Sequence, residues 1–372
     1  MRSGGPDQYH SQSDNGRHDL KEAMIRVPAH VRSPVRIAAM CSVAGLVLAS
    51  CATATVTVAP HVSGLPAVSI SVPLSSVACT TNNSCVAIGT SNLDVSPTSV
   101  GEYRSANGRW TALAVPSANT STYIASSSCW SDGCLFVGSK SNADLVWRYN
   151  ASSNSIIVAT APTGASGIEA VSCYRVLSCA ILDSTQSNQR FFVTDDGGAT
   201  WSPVGDIGVP PQDSVTSLAC PSNLECIASF LNASNGIVVD VTTDGGTTWT
   251  TRTGLSTVTW AALTSLNCVG SKCVGLAKLS TGWRIVRTNN FAKTWSKVAS
   301  LRTSILTLAC TSLKRCVVGG MKGSSSPWLA TVTSGSVTSV NLRYVPTQIA
   351  DVACGSKICV AIGVTTVMAL RP

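Results

Sequence analysis

Seven pairs of cysteines recur along this chain, and four or five residues separate the two thiols of each pair. The pairs are Cys79/Cys85, Cys129/Cys134, Cys173/Cys179, Cys220/Cys226, Cys268/Cys273, Cys310/Cys316 and Cys354/Cys359. Successive first cysteines lie 42 to 50 residues apart. A period in this range is typical of an array of similar supersecondary units, so we expect a repeat protein.

The paired cysteines favour disulfides over metal ligation. A zinc site needs about four convergent ligands, but no histidine follows His61 and each pair is a full repeat away from the next. Reduced cysteines can pack as small apolar residues, but this alternative does not explain the strict pairing. Cross-strand residues beside a short turn have the Cβ separation that a disulfide requires.

We therefore predict one disulfide in each repeat, formed in an oxidising compartment outside the cytosol. Because each loop is so short, we expect each bridge to staple its own hairpin and to do little for the global fold.

The N-terminal part of the chain has the pattern of an export signal. Residues 1–36 are polar and basic, and an uncharged run, residues 37–48, follows. A basic stretch, an apolar core and a small-residue processing site together indicate a secretory signal. Leu48-Ala49-Ser50-Cys51 resembles the bacterial lipobox, which implies that Cys51 is lipidated and that residues 37–51 are signal core and lipobox. Residues 52–65 are then a tether, and Met24 is a candidate for the true start.

Two alternatives to lipidation remain open. Ala52-Thr53-Ala54 could be an ordinary signal-peptidase site, which would give a secreted protein without a lipid. The uncharged span from Ile37 to about Pro60 is also long enough to stay in the bilayer as an uncleaved helical anchor. All three readings place residues 66–372 outside the cytoplasm, and we expect attachment to the cell membrane through lipid.

The repeat unit reads as four short strands. An apolar run ends at the first cysteine, a second run such as Cys85-Val86-Ala87-Ile88-Gly89 starts at the second cysteine, and two more strands follow a polar loop. These β-branched runs are bounded by turn formers and show no helical period. Four antiparallel strands per forty-odd residues, repeated seven times, predict an all-β, seven-bladed β-propeller over residues 66–372.

The two ends of this domain are expected to close the ring. The last unit has only three predicted strands before Pro372, and an extra strand, residues 67–72, precedes the first cysteine. The N-terminal strand can complete the final blade, and this closure would remove open sheet edges.

Two turns resemble a known repeat motif. Residues 194–201 (TDDGGATW) and 242–249 (TTDGGTTW) resemble the Asp-box, Ser/Thr-x-Asp-x-Gly-x-Thr-Trp, and residues 288–295 (TNNFAKTW) are a degraded copy. The chain is therefore similar to the BNR/Asp-box propellers, which include sialidases and photosystem II assembly factors. The family's boxes are structural, so the resemblance implies structural roles for Asp196, Gly198, Trp201, Asp244, Gly246, Trp249, Asn290 and Trp295. In physical terms Asp caps the turn, Gly supplies positive φ and Trp packs between blades.

Little in residues 66–372 points to catalysis. The absence of histidine excludes a Ser-His-Asp triad and histidine-ligated metals, and there is no nucleotide-binding fingerprint. A sialidase would need a Phe/Tyr-Arg-Ile-Pro motif, and residues 174–177 (YRVL) match only its first half. A glycosidase needs two carboxylates across a cleft, and Glu102, Glu169 and Glu225 are the only glutamates of the domain. No catalytic residue, metal or cofactor is expected.

The turns between the paired cysteines are predominantly basic. They carry Arg175, Lys272, Lys314, Arg315 and Lys357, against Asp132 and Glu225. Because the first strand of each propeller blade is innermost, these cations are expected to ring the mouth of the central channel and to favour an anionic partner. Solvated turns that happen to be basic are the alternative. The basic residues are too sparse for nucleic acid.

Taken together, the sequence predicts an exported, lipid-anchored, monomeric propeller that binds a protein or glycan of the cell envelope without catalysis. A glycoside hydrolase of the exo-sialidase type and a purely structural surface protein are the alternatives. The choice depends on analogy, because a fold does not determine a function.

Overall fold

The computed structural model describes residues 74–372 apart from short internal segments and the last two residues. The segments left out are 91–98, 105–109, 117–121, 141–142, 185–188, 209–212, 235, 253–259, 302–303, 324–325, 341, 343–347, 364–366 and 371–372. Every described residue belongs to one compact unit, Val56–Pro372. The expected signal, lipobox, Cys51 and tether lie outside the described residues.

The described residues form antiparallel sheets in which each strand pairs with the next along the chain. Sheet 1 contains β1 (Leu74–Cys79), β2 (Cys85–Thr90), β3 (Ser99–Arg104) and β4 (Trp110–Leu113). Sheet 2 contains β5 (Thr122–Cys129), β6 (Gly133–Lys140), β7 (Ala143–Asn150) and β8 (Ser155–Val158). Sheet 3 contains β9 (Ile168–Arg175), β10 (Ser178–Ser184), β11 (Gln189–Thr194) and β12 (Ser202–Asp206).

The remaining sheets repeat this order. Sheet 4 contains β13 (Ser214–Ala219), β14 (Cys226–Leu231), β15 (Ile237–Thr242) and β16 (Thr250–Thr251). Sheet 5 contains β17 (Trp260–Val269), β18 (Lys272–Leu279), β19 (Gly282–Thr288) and β20 (Ser296–Leu301). Sheet 6 contains β21 (Ser304–Ser312), β22 (Arg315–Lys322), β23 (Ser326–Thr333) and β24 (Ser336–Ser339). Sheet 7 has only β25 (Ile349–Cys354), β26 (Cys359–Gly363) and β27 (Val367–Leu370).

The prediction of seven complete four-stranded blades is therefore corrected. The described residues form six four-stranded blades and one three-stranded sheet. The shortfall lies in the last unit, whose own sequence was predicted to provide three strands. The N-terminal strand that was expected to complete it, residues 67–72, lies outside the described residues.

The first strands of the sheets pack side by side around a central axis. Each first strand contacts the first strand of the next sheet, in the order β1, β5, β9, β13, β17, β21 and β25, and β25 contacts β1. The core consists of one apolar cluster between each pair of neighbouring sheets, rather than one central mass. Ile88 of sheet 1 packs with Trp147 of sheet 2, and Val77 of sheet 1 packs with Ile362 of sheet 7. This arrangement is that of a β-propeller.

The predicted disulfides are confirmed. Each pair is bridged across the turn between the first and second strands of its sheet, with Cα–Cα distances of 3.9 to 4.1 Å. The bridges are Cys79–Cys85, Cys129–Cys134, Cys173–Cys179, Cys220–Cys226, Cys268–Cys273, Cys310–Cys316 and Cys354–Cys359. All of them except Cys220–Cys226 join residues that are also partners in the strand register.

The burial of the second cysteines shows that they also take part in the packing between sheets. Each second cysteine is at most 3% exposed, because it lies on the second strand of its sheet, and neighbouring sheets cover that strand. Each also belongs to an apolar cluster between two sheets. These residues are Cys85, Cys134, Cys179, Cys226, Cys273, Cys316 and Cys359. A bridge therefore closes only its own hairpin, but its second sulfur also fills space between sheets.

A β-bulge recurs in the first strands. In six sheets the extra residue lies four positions before the first cysteine; these residues are Ser75, Ala125, Glu169, Thr216, Leu306 and Ala350. In sheet 5 the irregularities lie between Trp260 and Ala262 and between Thr264 and Asn267. Bulges re-aim the side chains that follow them, and the residues after these bulges line the centre of the ring.

Candidate functional site

A polar channel of about 790 Å³ runs along the axis of the ring. Its wall is the first strand of every sheet, and serine is its commonest side chain. Tyr123 also lines it, with 63% of its surface exposed. Among the described lining residues there is no lysine, arginine or histidine, and the carboxylates are Glu169 and Asp351.

Much of this polar wall is used to join neighbouring sheets. Side-chain oxygens on one first strand accept hydrogen bonds from backbone N–H groups on the next. The pairs are Ser126 with Val171 (3.3 Å), Ser128 with Cys173 (2.9 Å), Ser172 with Cys220 (2.8 Å) and Ser217 with Leu266 (3.1 Å). Neighbouring first strands splay apart in a propeller, and these side chains satisfy backbone donors that would otherwise be unpaired.

The two channel carboxylates are used in the same way. Glu169 of sheet 3 accepts a hydrogen bond from the N–H of Val215 at 3.0 Å. Asp351 of sheet 7 accepts one from the N–H of Val77 at 3.0 Å and one from the hydroxyl of Thr307 at 3.0 Å. Asp351 therefore links sheets 6, 7 and 1.

Burial shifts the pKa of both carboxyl groups upward. For Glu169 burial raises the pKa, and the hydrogen bond from Val215 opposes that rise. For Asp351 burial raises the pKa to about 6, against the opposing effect of hydrogen bonds from Val77, Thr307 and Val352. Both groups hold a proton more tightly than a solvated carboxyl does.

Sequence reasoning missed this network, although a signal was present. A side chain able to hydrogen-bond stands three positions before the first cysteine in every repeat but one: Ser76, Ser126, Ser217, Ser265, Thr307 and Asp351. Ala170 is the exception, and there the neighbouring Glu169 makes the contact to sheet 4 instead.

The turns between paired cysteines (the cysteine turns) and the turns between third and fourth strands (the third turns) share one face of the ring. In each of sheets 2 to 6, a third-turn N–H donates to a cysteine-turn carbonyl at 2.8 or 2.9 Å. The acceptors are Asp132, Leu177, Leu224, Ser271 and Lys314. We call this surface the cysteine-turn face.

The third turns of sheets 3, 4 and 5 have one hydrogen-bond pattern. In sheet 3, Thr194 donates to the Asp196 carboxylate at 2.7 Å, and both the N–H and the hydroxyl of Thr200 donate to it at 2.9 and 2.6 Å. Gly198, at φ +86°, donates its N–H to Thr194. Sheet 4 repeats these contacts around Asp244 and Gly246. In sheet 5, Asn290 replaces the aspartate, and its amide N–H donates to Thr294 at 2.8 Å.

The tryptophans of these turns contact residues outside their own turn. Trp201 donates its indole N–H to the Thr160 carbonyl at 2.8 Å. Trp249 packs edge-on against Phe191 of sheet 3 with ring centroids 5.2 Å apart, and Trp295 packs similarly on Trp260 at 5.9 Å.

Hydrogen bonds depress the pKa of both aspartates in these turns. Burial raises the pKa of Asp196, but hydrogen bonds from Thr200 and Thr194 outweigh it and bring the pKa to about 2. Hydrogen bonds from Thr248 and Thr242 bring the pKa of Asp244 to about 2. Both groups are therefore carboxylates at neutral pH, in the state that caps the turn.

The five predicted binding cations lie on the cysteine-turn face. None of Arg175, Lys272, Lys314, Arg315 and Lys357 lines the channel. Arg175 is also paired, because its guanidinium lies 3.5 Å from the carboxylate of Asp195. The channel wall is lined by side chains of the bulged first strands, and a ring of cations around its mouth stays a prediction.

The described part of the chain offers neither a cluster of metal ligands nor a membrane-spanning helix. No group of three or more histidine, cysteine, aspartate or glutamate side chains there could hold a metal ion. No helix there is long and apolar enough to cross a membrane.

Comparison with known proteins supports the fold. No family model matches the chain, and no curated protein sequence matches it. A structure of YCF48 from Cyanidioschyzon merolae superposes with a TM-score of 0.57 at 14% identity, covering 83% of this chain and 97% of the other. YCF48 bound to D1 peptide superposes with a TM-score of 0.55 at 12% identity, covering 81% and 93%.

An enzyme shares the fold as well. The GH74 xyloglucanase from Xanthomonas campestris superposes with a TM-score of 0.57 at 11% identity, covering 82% of this chain and 53% of the enzyme. At these identities the similarity establishes the architecture and leaves the activity open. The chain is a β-propeller whose blades each carry a disulfide.

Proposed function

We propose that this protein is an exported, lipid-anchored propeller that acts as a non-catalytic binding scaffold in the cell envelope. The observation that carries this proposal is the charge of the turns of sheets 5 to 7 on the cysteine-turn face. Their described residues include Lys272, Lys293, Lys314, Arg315 and Lys357, all exposed, and no carboxylate. Such a surface attracts an anionic protein or glycan and accelerates its encounter.

The use of the channel supports a scaffold over an enzyme. Its carboxylates and at least four of its serines hold neighbouring sheets together. A catalytic acid or base must exchange protons with the substrate, and groups already bonded to neighbouring sheets are poor candidates for that role. The similarity to a propeller described as bound to a peptide is compatible with a protein partner.

Export and lipidation at Cys51 are part of the same proposal. Seven disulfides in one domain favour an oxidising compartment. Mass analysis of the mature N-terminus tests the anchor: a diacylglycerol adduct on Cys51 is the expected result. An unmodified terminus near Ala54, or an uncleaved chain, would replace lipidation by one of the two alternatives.

We also propose that residues 67–72 complete sheet 7, and that the third turns of sheets 3 to 5 are Asp-boxes. The three-stranded sheet 7 offers an open edge, which propellers commonly fill with a strand from the other chain end. Deleting residues 66–73 should prevent soluble folding. A truncated protein with the thermal stability of the wild type would contradict this.

A glycoside hydrolase is the second candidate, because Glu169 and Asp351 line the same channel and both have raised pKa values. A pair of carboxylates is what glycoside hydrolysis requires. A panel of fluorogenic glycosides and sialosides tests it. Turnover that is lost in both Glu169→Gln and Asp351→Asn would favour the enzyme over the scaffold.

Binding of a polyanion tests the scaffold directly. Polyglutamate should bind the oxidised protein at low salt, and replacing Lys314, Arg315 and Lys357 by serine should weaken that binding. Capture from envelope extract with the same two proteins should then enrich a partner only on the wild type. Unchanged polyglutamate binding by the serine variant would remove the basis of this proposal and leave a purely structural surface protein.

A further inference from the structure

The cysteine-turn face is divided into an acidic half and a basic half. In the cysteine and third turns of sheets 2 to 4, the described charged residues are five acids and one arginine: Asp132, Asp195, Asp196, Glu225, Asp244 and Arg175. In the corresponding turns of sheets 5 to 7 they are the five cations Lys272, Lys293, Lys314, Arg315 and Lys357. The cysteine turn of sheet 1, residues 80–84, carries no charge, and the third turn of that sheet lies outside the described residues.

The order of the sheets makes this division self-complementary. Sheets 1 to 7 follow one another around the ring and sheet 7 returns to sheet 1. When two such faces are stacked about a two-fold axis through sheet 1, sheet 2 of one copy faces sheet 7 of the other. Sheet 3 then faces sheet 6, and sheet 4 faces sheet 5. A two-fold interface is isologous, so each contact occurs twice.

In each of the three pairs of facing sheets, acids of one copy lie opposite cations of the other, and Arg175 of sheet 3 is already paired with Asp195 of its own chain. Asp132 of sheet 2 faces Lys357 of the second copy's sheet 7. Asp195 of sheet 3 faces Lys314 and Arg315 of the second copy's sheet 6. Glu225 of sheet 4 faces Lys272 of the second copy's sheet 5. Asp195, Lys272 and Lys314 are among the exposed side chains of this set, and Glu225 is partly exposed.

Exposed aliphatic side chains accompany the charges. Leu224 in the cysteine turn of sheet 4 is 52% exposed, and Val269 in that of sheet 5 is 66% exposed. Sheets 4 and 5 are opposite each other in the two-fold arrangement, so Leu224 meets Val269 of the second copy and the reverse contact also forms. Val176, 53% exposed in sheet 3, adds apolar surface to the same face. Apolar contacts framed by complementary charges are the usual composition of a protein interface.

We infer that the cysteine-turn face binds a second copy of this chain, in place of the monomer expected from the sequence. The inference rests on the proposed role of the cations of sheets 5 to 7 in binding an anionic partner, and it names that partner as the acidic half of another molecule. Charge complementarity sets the relative orientation of the two copies, and their association buries the contacts between Leu224 of one copy and Val269 of the other.

A charge-swap experiment on the full oxidised chain in mild detergent tests this inference by sedimentation at low salt. The acid-swapped variant carries Asp132→Lys and Glu225→Lys, and the base-swapped variant carries Lys272→Glu and Lys357→Glu. Each variant alone places like charges opposite each other, so its dimer dissociation constant should rise at least about tenfold. An equal mixture of the two variants should restore pairing as a heterodimer.

The matched control is Lys278→Glu with Lys322→Glu. These lysines lie near the far ends of β18 and β22, away from the cysteine turns, and both are exposed. This variant should dimerise like the wild type. If this control variant also failed to dimerise, the weaker dimers of the swapped variants would be due to their net charge and not to the cysteine-turn face.

Two results would overturn the inference. One is a wild-type chain that sediments as a monomer at every concentration, and the other is a dimer that neither swapped variant weakens. A monomeric wild type that still binds polyglutamate, with binding lost in the serine variant, would reject the dimer and leave the scaffold proposal intact. Failure of both assays would reject both.

Discussion

Asp351 accepts a hydrogen bond from the backbone N–H of Val77, a residue 274 positions earlier in the chain. The same carboxylate accepts the hydroxyl of Thr307 at 3.0 Å, so one side chain joins the first, sixth and seventh sheets. The contact closes the ring through a polar side chain, beside the apolar cluster that packs sheet 7 on sheet 1.

The raised pKa of Asp351 predicts a specific pH dependence of stability. The folded protein holds this proton up to about pH 6, whereas the unfolded chain releases it at about pH 4. The contribution of this group to the free energy of unfolding is therefore fully retained below about pH 4 and falls as the pH rises to about 6. The expected loss is on the order of 3 kcal/mol.

Asp351→Asn isolates this effect, because the variant lacks the titrating group while all other carboxyl groups titrate in both proteins. Denaturant unfolding at pH 4, 5, 6 and 7 should show the wild type losing stability relative to the variant across this range. Parallel stability profiles for the two proteins would contradict the raised pKa.

The serines between first strands should contribute to stability through the bonds they accept. Replacing Ser128 by alanine leaves the N–H of Cys173 without its acceptor and should lower the free energy of unfolding by about 1 kcal/mol. Ser127 lines the same channel, and no hydrogen bond from it to the next sheet is described. Ser127→Ala is the matched control and should change stability by less than half as much, as measured by urea unfolding without reductant.

Much of this fold could be predicted from the sequence, because the signals are local. The cysteine spacing defines hairpins, and the turn residues around Asp196 and Asp244 define caps, so each depends on residues fewer than ten positions apart. The three strands of the last unit were predicted as well, whereas the fourth strand expected from residues 67–72 lies outside the described residues.

The burial of the second cysteine of each pair could not be predicted from the sequence in the same way. The spacing of Cys173 and Cys179 indicates a bridge, but the burial of Cys179 among residues of sheets 2 and 3 depends on how those sheets stack. Cys273 and Cys316 are buried between sheets 4 and 5 and between sheets 5 and 6 for the same reason.

The candidate site was harder to predict, because it depends on how separate sheets face one another. Nothing near Asp351 in the sequence indicates that Val77 is its partner. The pairing of Arg175 with Asp195 joins a cysteine turn to a third turn, so counting charges in the cysteine turns alone overestimated the basic character of sheet 3. Similarly, the buried Asp183 pairs with Arg190 across two strands at 2.8 Å, a contact that strand register fixes.

The third turn of sheet 5 predicts how the aspartate turns tolerate substitution. Asn290 makes there the contacts that Asp196 makes in sheet 3, with the direction of one hydrogen bond reversed toward Thr294. Asp196→Asn should therefore keep most of the stability of the turn at neutral pH. Asp196→Ala removes the acceptor for Thr194 and Thr200 and should cost about 1 kcal/mol, as a lost cap does.

Thermal unfolding of both variants at pH 7 checks this expectation. The wild-type advantage of the carboxylate is present above the ordinary pKa of aspartate and is lost as the pH falls toward about 2, because the folded-state pKa is depressed to that value. Equal destabilisation by asparagine and alanine would show that the charge, rather than the acceptor geometry, supports the turn.

Removing one disulfide should weaken one hairpin and leave the ring assembled. Cys129 and Cys134 close a loop with a sequence separation of 5, and the entropy of so short a loop corresponds to about 2 kcal/mol. Replacing both by alanine should lower the free energy of unfolding by at least about that amount, because the sulfur of Cys134 also packs in the cluster between sheets 1 and 2. Replacing both by serine should cost more, because it places a hydroxyl in that apolar cluster.

The number of unfolding transitions distinguishes a local bridge from one that holds sheets together. The other apolar clusters and the serine contacts between sheets persist in the Cys129→Ala, Cys134→Ala variant, so this protein should unfold in a single denaturant transition. Unfolding in separate steps, or loss of soluble protein on removal of one bridge, would show that the covalent bond itself holds neighbouring sheets together. A single transition at lower denaturant concentration would show that the covalent bond stabilises only its own hairpin, while the buried sulfur contributes to the packing between sheets.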